Sequence, residues 1–184
     1  MKTLLQKSIL ISFLTLVLGL NQQILAQTNN YFGTSGTLSG SVWSTSVGGP
    51  YTSALNTTGG AIINFGNTTT AITGATITVA GVNATANATI TSIGGTISAF
   101  SSNVPVNVSS GISLDFGTNN IAAGAVSWTK NGAGLWATAG NTYTGGFNLN
   151  AGTLVARGVN AMGAGGVLTI AGGTIGANGN RDFT

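Results

Sequence analysis

Apolar and polar residues trade places at every second position along much of this chain, in short runs closed by glycine or asparagine. Ile77 and Val79 share one face of Ala75 to Ala80, and Ile112, Leu114 and Phe116 alternate with Ser113 and Asp115. Successive side chains of a strand point to opposite faces, so this period predicts half-buried strands. Val167-Leu168-Thr169-Ile170 breaks the alternation as a fuller apolar run. No segment after residue 26 carries a long apolar stripe at helical spacing, and the frequent glycines and β-branched residues oppose helix further. Little or no helix is expected there.

The strand-and-turn unit repeats. Gly36-Thr37-Leu38 returns as Gly95-Thr96-Ile97, Gly152-Thr153-Leu154 and Gly173-Thr174-Ile175, while Ala75-Thr76-Ile77-Thr78 returns as Ala88-Thr89-Ile90-Thr91. A period of about 20 residues suits one coil of a solenoid. In a parallel β-helix each coil stacks on the last, inward apolar residues form a continuous core, and strands pair with those above and below. Asn and Gly tolerate the left-handed backbone of the corners, and stacked Asn side chains can bond along a ladder. The expected fold is therefore all-β, a right-handed parallel β-helix following an N-terminal helical signal peptide.

Composition supports strands over disorder. Of 184 residues 30 are Gly and 2 Pro, 42% are hydrophobic and only 4% charged, whereas disorder needs low hydrophobicity or high charge. The first 26 residues read as an export signal: Lys2 and Lys7, an apolar run from Ser8 to Leu20, then Ile24-Leu25-Ala26 before Gln27. The run is shorter than the roughly 20 residues of a spanning helix, so cleavage after Ala26 is expected and no transmembrane segment remains. Lys130, Arg157 and Arg181 then face Asp115 and Asp182, a net charge of +1 on residues 27–184. The cations are dispersed, so no nucleic-acid partner is expected. With no cysteine, the exported chain must be stabilised without disulfides.

The scarcity of ionisable groups also bears on chemistry. Proton transfer, nucleophile activation and hard-metal binding need several convergent groups that hold or release charge. The chain has neither His nor Cys, and Asp115 and Asp182 are its acids. No catalytic, cofactor-binding or metal site is expected, and no cofactor. The five residual charges, Lys130 included, read as solvated turn and surface residues that form no buried pair, and Tyr143 as a packed aromatic with a bonded hydroxyl.

From Trp128 to Leu154 the text becomes specific. Trp128-Thr129-Lys130-Asn131-Gly132-Ala133-Gly134 is followed by Gly140-Asn141-Thr142-Tyr143-Thr144-Gly145-Gly146 and by Leu149-Asn150-Ala151-Gly152-Thr153-Leu154. This resembles the autotransporter-associated β-strand repeat, which reads roughly Lys-x-Gly-x-Gly, a strand, Asn-x-Tyr-x-Gly, a second strand and Gly-x-Leu. Lys130, Gly132, Gly134, Asn141, Tyr143, Gly145, Gly152 and Leu154 match it, with a continuation towards Ile175. The resemblance implies a β-helical passenger of a bacterial surface protein, in which the matched glycines make turns and Tyr143 and Leu154 pack.

The chain accordingly divides into a signal peptide (1–26), an aromatic-rich capping segment (27–70) bearing Tyr31, Phe32, Trp43, Tyr51 and Phe65, and solenoid coils (71–184) with the repeat at about 127–175. The segment closing at Arg181-Asp182-Phe183-Thr184 reads as passenger-like, with an uncapped coil edge open to self-association. The expected function is a secreted or cell-surface module, outer-membrane associated, structural or adhesive and non-catalytic, contacting surface glycans or proteins through neutral polar rows. The alternative is a β-helical carbohydrate-active protein, with Asp115 and Asp182 as its only possible acid pair, or a carbohydrate-binding one, with Trp43, Trp128 or Trp136 as stacking platforms.

Overall fold

The computed structural model describes residues 26–73, 75–92, 95–117, 120–121 and 124–177. Residues 1–25 of the expected export signal, together with Arg181 and Asp182, lie outside the described residues. Within them the chain is all-β, without helix, and winds into a parallel β-solenoid of about 5 turns.

Strands are numbered in chain order. One long sheet stacks β1 (Thr28–Phe32), β4 (Ala61–Phe65), β6 (Ile77–Ala84), β9 (Asn103–Val108), β12 (Ser127–Asn131), β14 (Phe147–Leu149) and β16 (Leu168–Ile170), all parallel, with β3 (Trp43–Ser44) antiparallel on the outer side of β1. A second sheet stacks β2 (Gly36–Thr37), β5 (Thr69–Thr73), β7 (Ala88–Ser92), β10 (Ser113–Asp115), β13 (Leu135–Thr138), β15 (Thr153–Ala156) and β17 (Thr174–Ala177). A short third side is built by β8 (Thr96–Ala99) and β11 (Asn120–Ile121). The long strand β6 serves two sides, its start pairing with β8 and its end with β9.

The period-two pattern sets which face is buried. Val104, Val106 and Val108 of β9 are inaccessible, as are Trp128 and Lys130 of β12 and Leu149 of β14, while Asn103 and Asn107 of β9 are exposed. Register carries each inward position onto the next: Val104 beside Trp128 beside Phe147 beside Leu168. On the second sheet Ala88, Leu114, Trp136, Leu154 and Ile175 form a matching row. The fuller apolar run at 167–170 resolves in the same way, with Leu168 and Ile170 in register with the inward Phe147 and Leu149, and Thr169 with the outward Asn148.

Aromatic residues fill the interior at two levels. Near the start, Phe32 meets Trp43 edge-on at 4.9 Å and Phe65 at 5.7 Å. Further along, Trp136 stacks on Phe147 at 5.7 Å, takes Phe116 edge-on at 5.4 Å and lies 6.1 Å from Trp128. Such pairs add about 0.5–1.5 kcal/mol each beyond area burial. That packing, with the inter-coil backbone ladder, holds the chain together without disulfides.

Candidate functional site

The residues matching the repeat pattern fall at two places: Lys130, Gly132, Gly134 and Gly152 at the corner between the two long sheets, and Asn141 and Tyr143 against the third side. Gly132 and Gly152 both adopt a φ of +75° and occupy equivalent corners of successive coils. A Cβ on Gly152 would strike the Gly132 carbonyl oxygen, and one on Gly132 the Val108 carbonyl oxygen. Both positions therefore require glycine for the left-handed backbone and for the closeness of the neighbouring coil.

Lys130 is the main departure from the sequence reading. Expected as a solvated turn residue, it stands at an inward position of β12 and is wholly buried. Its Nζ donates to the carbonyl oxygens of Asn131 and Gly132, each at 2.7 Å, and of Ala151 at 3.2 Å. The corner turns its carbonyls inward, and an ammonium is the side-chain group with three donors to meet three of them. Ala151 belongs to the next coil, so the side chain ties two coils together. Desolvation lowers the Lys130 pKa from 10.5 to about 8.

Asn141 plays the complementary part on the third side. It is fully buried, its Oδ1 accepts from the Ile121 backbone N–H at 3.1 Å in the coil before, and its Nδ2 donates to the Ala161 carbonyl at 2.6 Å in the coil after. A second contact from Nδ2 reaches Thr138 Oγ1 at 3.1 Å. One carboxamide thus replaces a missing strand on both sides at once. Tyr143 is buried beside Trp128 at 6.3 Å, but its hydroxyl finds no partner among the described residues, contrary to the bonded hydroxyl expected. Burial pushes its pKa up. Gly134 and Gly145 are also places of close backbone approach, and Leu154 is an inward residue of the second-sheet row.

Asp115 is likewise not a free surface charge. It is 9% exposed, its Oδ2 lies 2.8 Å from the Arg157 guanidinium, and its Oδ1 accepts from the Gly117 N–H at 2.8 Å. Its burial corrects the reading of Asp115 as a solvated surface residue, but with the arginine exposed the two do not form a buried pair. Register explains their contact: Asp115 lies beside Ala137, and Ala137 beside Val155, so Arg157 at the end of β15 reaches across an intervening strand whose small alanine leaves room. Even so, the arginine side chain stays 41% exposed. Asp182, the partner in the acid pair weighed above, lies outside the described residues.

No known family model, curated protein or solved structure matches the chain. Trp43, Trp128 and Trp136 are all fully buried, so none can stack on a sugar in solution. Among the described residues no three His, Cys, Asp or Glu come together. A cavity of about 210 Å³ is lined by residues between Gly158 and Leu168, among them Asn160, Met162 and Gly163.

The feature that does recur on the outside is a row of asparagines. Asn107 donates to Asn83 at 2.8 Å, Asn83 to Asn64 at 2.8 Å, and Asn150 to Asn131 at 2.8 Å, while Asn107 and Asn131 are in register. Beside it, Ser127 and Thr129 both donate to the Asn103 carboxamide oxygen and Asn148 donates to Thr129. A bond along such a row uses one amide hydrogen and one oxygen lone pair, so each carboxamide keeps outward hydrogen-bonding capacity. The general idea of an Asn ladder was legible in composition, but its members were not. The signal that could have found them is Asn at the same distance from the inward residues of each first-sheet strand.

Proposed function

We propose that this chain is an exported, non-catalytic structural or adhesive module of a bacterial surface, of the autotransporter-associated β-strand repeat type. What supports the reading above all is the neutral, outward row from Asn64 to Asn150, flanked by Asn103, Ser127, Thr129 and Asn148 and mounted on a stack of short coils. Regular rows of fixed carboxamides and hydroxyls offer many weak hydrogen bonds and no strong single anchor, which suits contact with extended glycans or proteins at a surface. Engagement of both Asp115 oxygens supports a structural role over an acid in sugar chemistry. The signal-like first 26 residues support export to the cell surface or medium.

Beads coated with the purified chain test this. Retention on bacterial or host surface glycans and proteins should persist in molar salt, because the contact is neutral. It should fall several-fold when Asn83, Asn107 and Asn148 are changed together to Asp, which adds like charges along the row. Retention that disappears in salt, or that ignores the triple change, refutes the reading.

A further inference from the structure

The asparagine row is open at one rung. On both sides of the opening its bonds run the same way, each carboxamide donating to the coil before: Asn64 to Asn29 at 3.3 Å, Asn83 to Asn64, Asn107 to Asn83, and Asn150 to Asn131. Asn107 and Asn131 are in register on neighbouring strands, yet no bond joins their side chains among the described residues. Asn107 uses its amide on Asn83, and Asn131 its oxygen on Asn150, which leaves Asn107 Oδ1 and Asn131 Nδ2 without a partner among the described residues. A carboxamide carries oxygen and nitrogen on opposite sides, so these two unused atoms face each other across the opening.

Two residues back along each strand, on the same outward face, Ile62 and Pro105 are half-buried and flank Gly81. A Cβ on Gly81 would lie 3.6 Å from Pro105 and 3.7 Å from Ile62. The side chain that glycine lacks leaves an apolar dip beside a free donor and a free acceptor. No ionisable side chain lies on β9, and the one on β12, Lys130, points inward, so nothing at the rung selects an anion.

We propose, resting on the surface-contact reading above, that this open rung binds the acetamido group of an N-acetylated sugar in a surface glycan. A trans secondary amide carries one acceptor and one donor pointing opposite ways. Its carbonyl accepts from Asn131 Nδ2 while its N–H donates to Asn107 Oδ1, in the polarity of the rest of the row, and its methyl rests against Pro105. A sugar hydroxyl fills both roles only through a single oxygen and brings nothing apolar. An extended peptide offers amides in series, whereas one rung is open.

Beads coated with the chain should be retained on chitin, a polymer of N-acetylglucosamine, about fivefold better than on cellulose, which has a hydroxyl in place of each acetamido group; one net hydrogen bond is worth about that factor. Saturation-transfer NMR with a soluble oligomer of N-acetylglucosamine should place the strongest signal on the acetyl methyl. Asn131→Asp keeps an acceptor for Asn150 but removes the donor, and should cancel the preference. Val47→Asp adds the same charge at a remote exposed site and should not. Equal retention on chitin and cellulose, a preference that survives Asn131→Asp, or saturation spread evenly over the sugar ring overturns the acetamido assignment and leaves the adhesive reading standing. Retention confined to protein-coated surfaces does the same. Retention on no surface removes both.

Discussion

Raising the pH should stabilise this protein between about 8 and 10, and Lys130 should be the cause. Its ammonium is inaccessible and desolvation brings its pKa from 10.5 to about 8. The neighbours explain why no countercharge opposes that shift. The strands paired with β12 are β9 and β14, of sequence Asn-Val-Pro-Val-Asn-Val and Phe-Asn-Leu, and neither carries an ionisable side chain. Between the folded and unfolded values the unfolded chain holds more protons, so stability rises with pH through that window. At about 1.4 kcal/mol per pKa unit, the full difference is worth about 3 kcal/mol, of which about 2 accrues between pH 8 and 9.5. Tyr143 acts oppositely: burial raises its pKa above the usual value near 10, so stability falls once the unfolded phenol ionises, and measurements should stop near pH 9.5. Urea unfolding followed by fluorescence of the buried tryptophans at pH 7, 8, 9 and 9.5 reads the effect. In Lys130→Met the rise should vanish, so the wild-type advantage grows by about 2 kcal/mol across the window. A flat wild-type profile, or an equal slope in Lys130→Met, refutes the reasoning.

Three other substitutions separate interior from surface. Trp136→Ala removes a side chain packed against Phe116, Trp128 and Phe147 and should cost about 3–5 kcal/mol in urea melts; a loss below about 1 would mean the aromatic stack is not load-sharing. Asn141→Ala leaves the Ile121 N–H and the Ala161 carbonyl without their partner and should cost about 2–4 kcal/mol, with hydrogen exchange at Ile121 accelerated first. Asp115→Asn keeps an acceptor for the Gly117 N–H and loses only a pair whose arginine is 41% exposed. It should therefore change stability by about 0.5 kcal/mol, and a melt showing a several-fold larger loss would contradict that assignment.

Fold class was legible because burial in a solenoid follows the same alternation that the sequence displays. Ile77, Val79, Leu114 and Phe116 all face inward. Charge placement was not, since it depends on which coils become neighbours. Nothing local to Lys130 announces that Ala151 of the following coil supplies one of its acceptors, and Asp115 and Arg157 meet only through the stacking of β10, β13 and β15. Composition suggested that charges avoid the interior, as they usually do. The inward-turned carbonyls of a tight corner reversed that rule for one lysine. The tryptophans show the same limit from the other side, because sequence offers no way to tell a stacking platform from a core residue, whereas all three are fully buried.

The asparagine row has a consequence for how the chain can change. Its rungs hold coils whose lengths differ, joined by bonds between residues 19, 24 and 19 positions apart. The surplus is absorbed on the third side, where β8 and β11 are short, while the first-sheet register at the rungs is kept. The row therefore works as a gauge that resets strand alignment once per coil. Residues inserted or removed on the third side should alter the outline of one coil without propagating to the next, which makes that side the place where such a chain can acquire new surface at little structural cost.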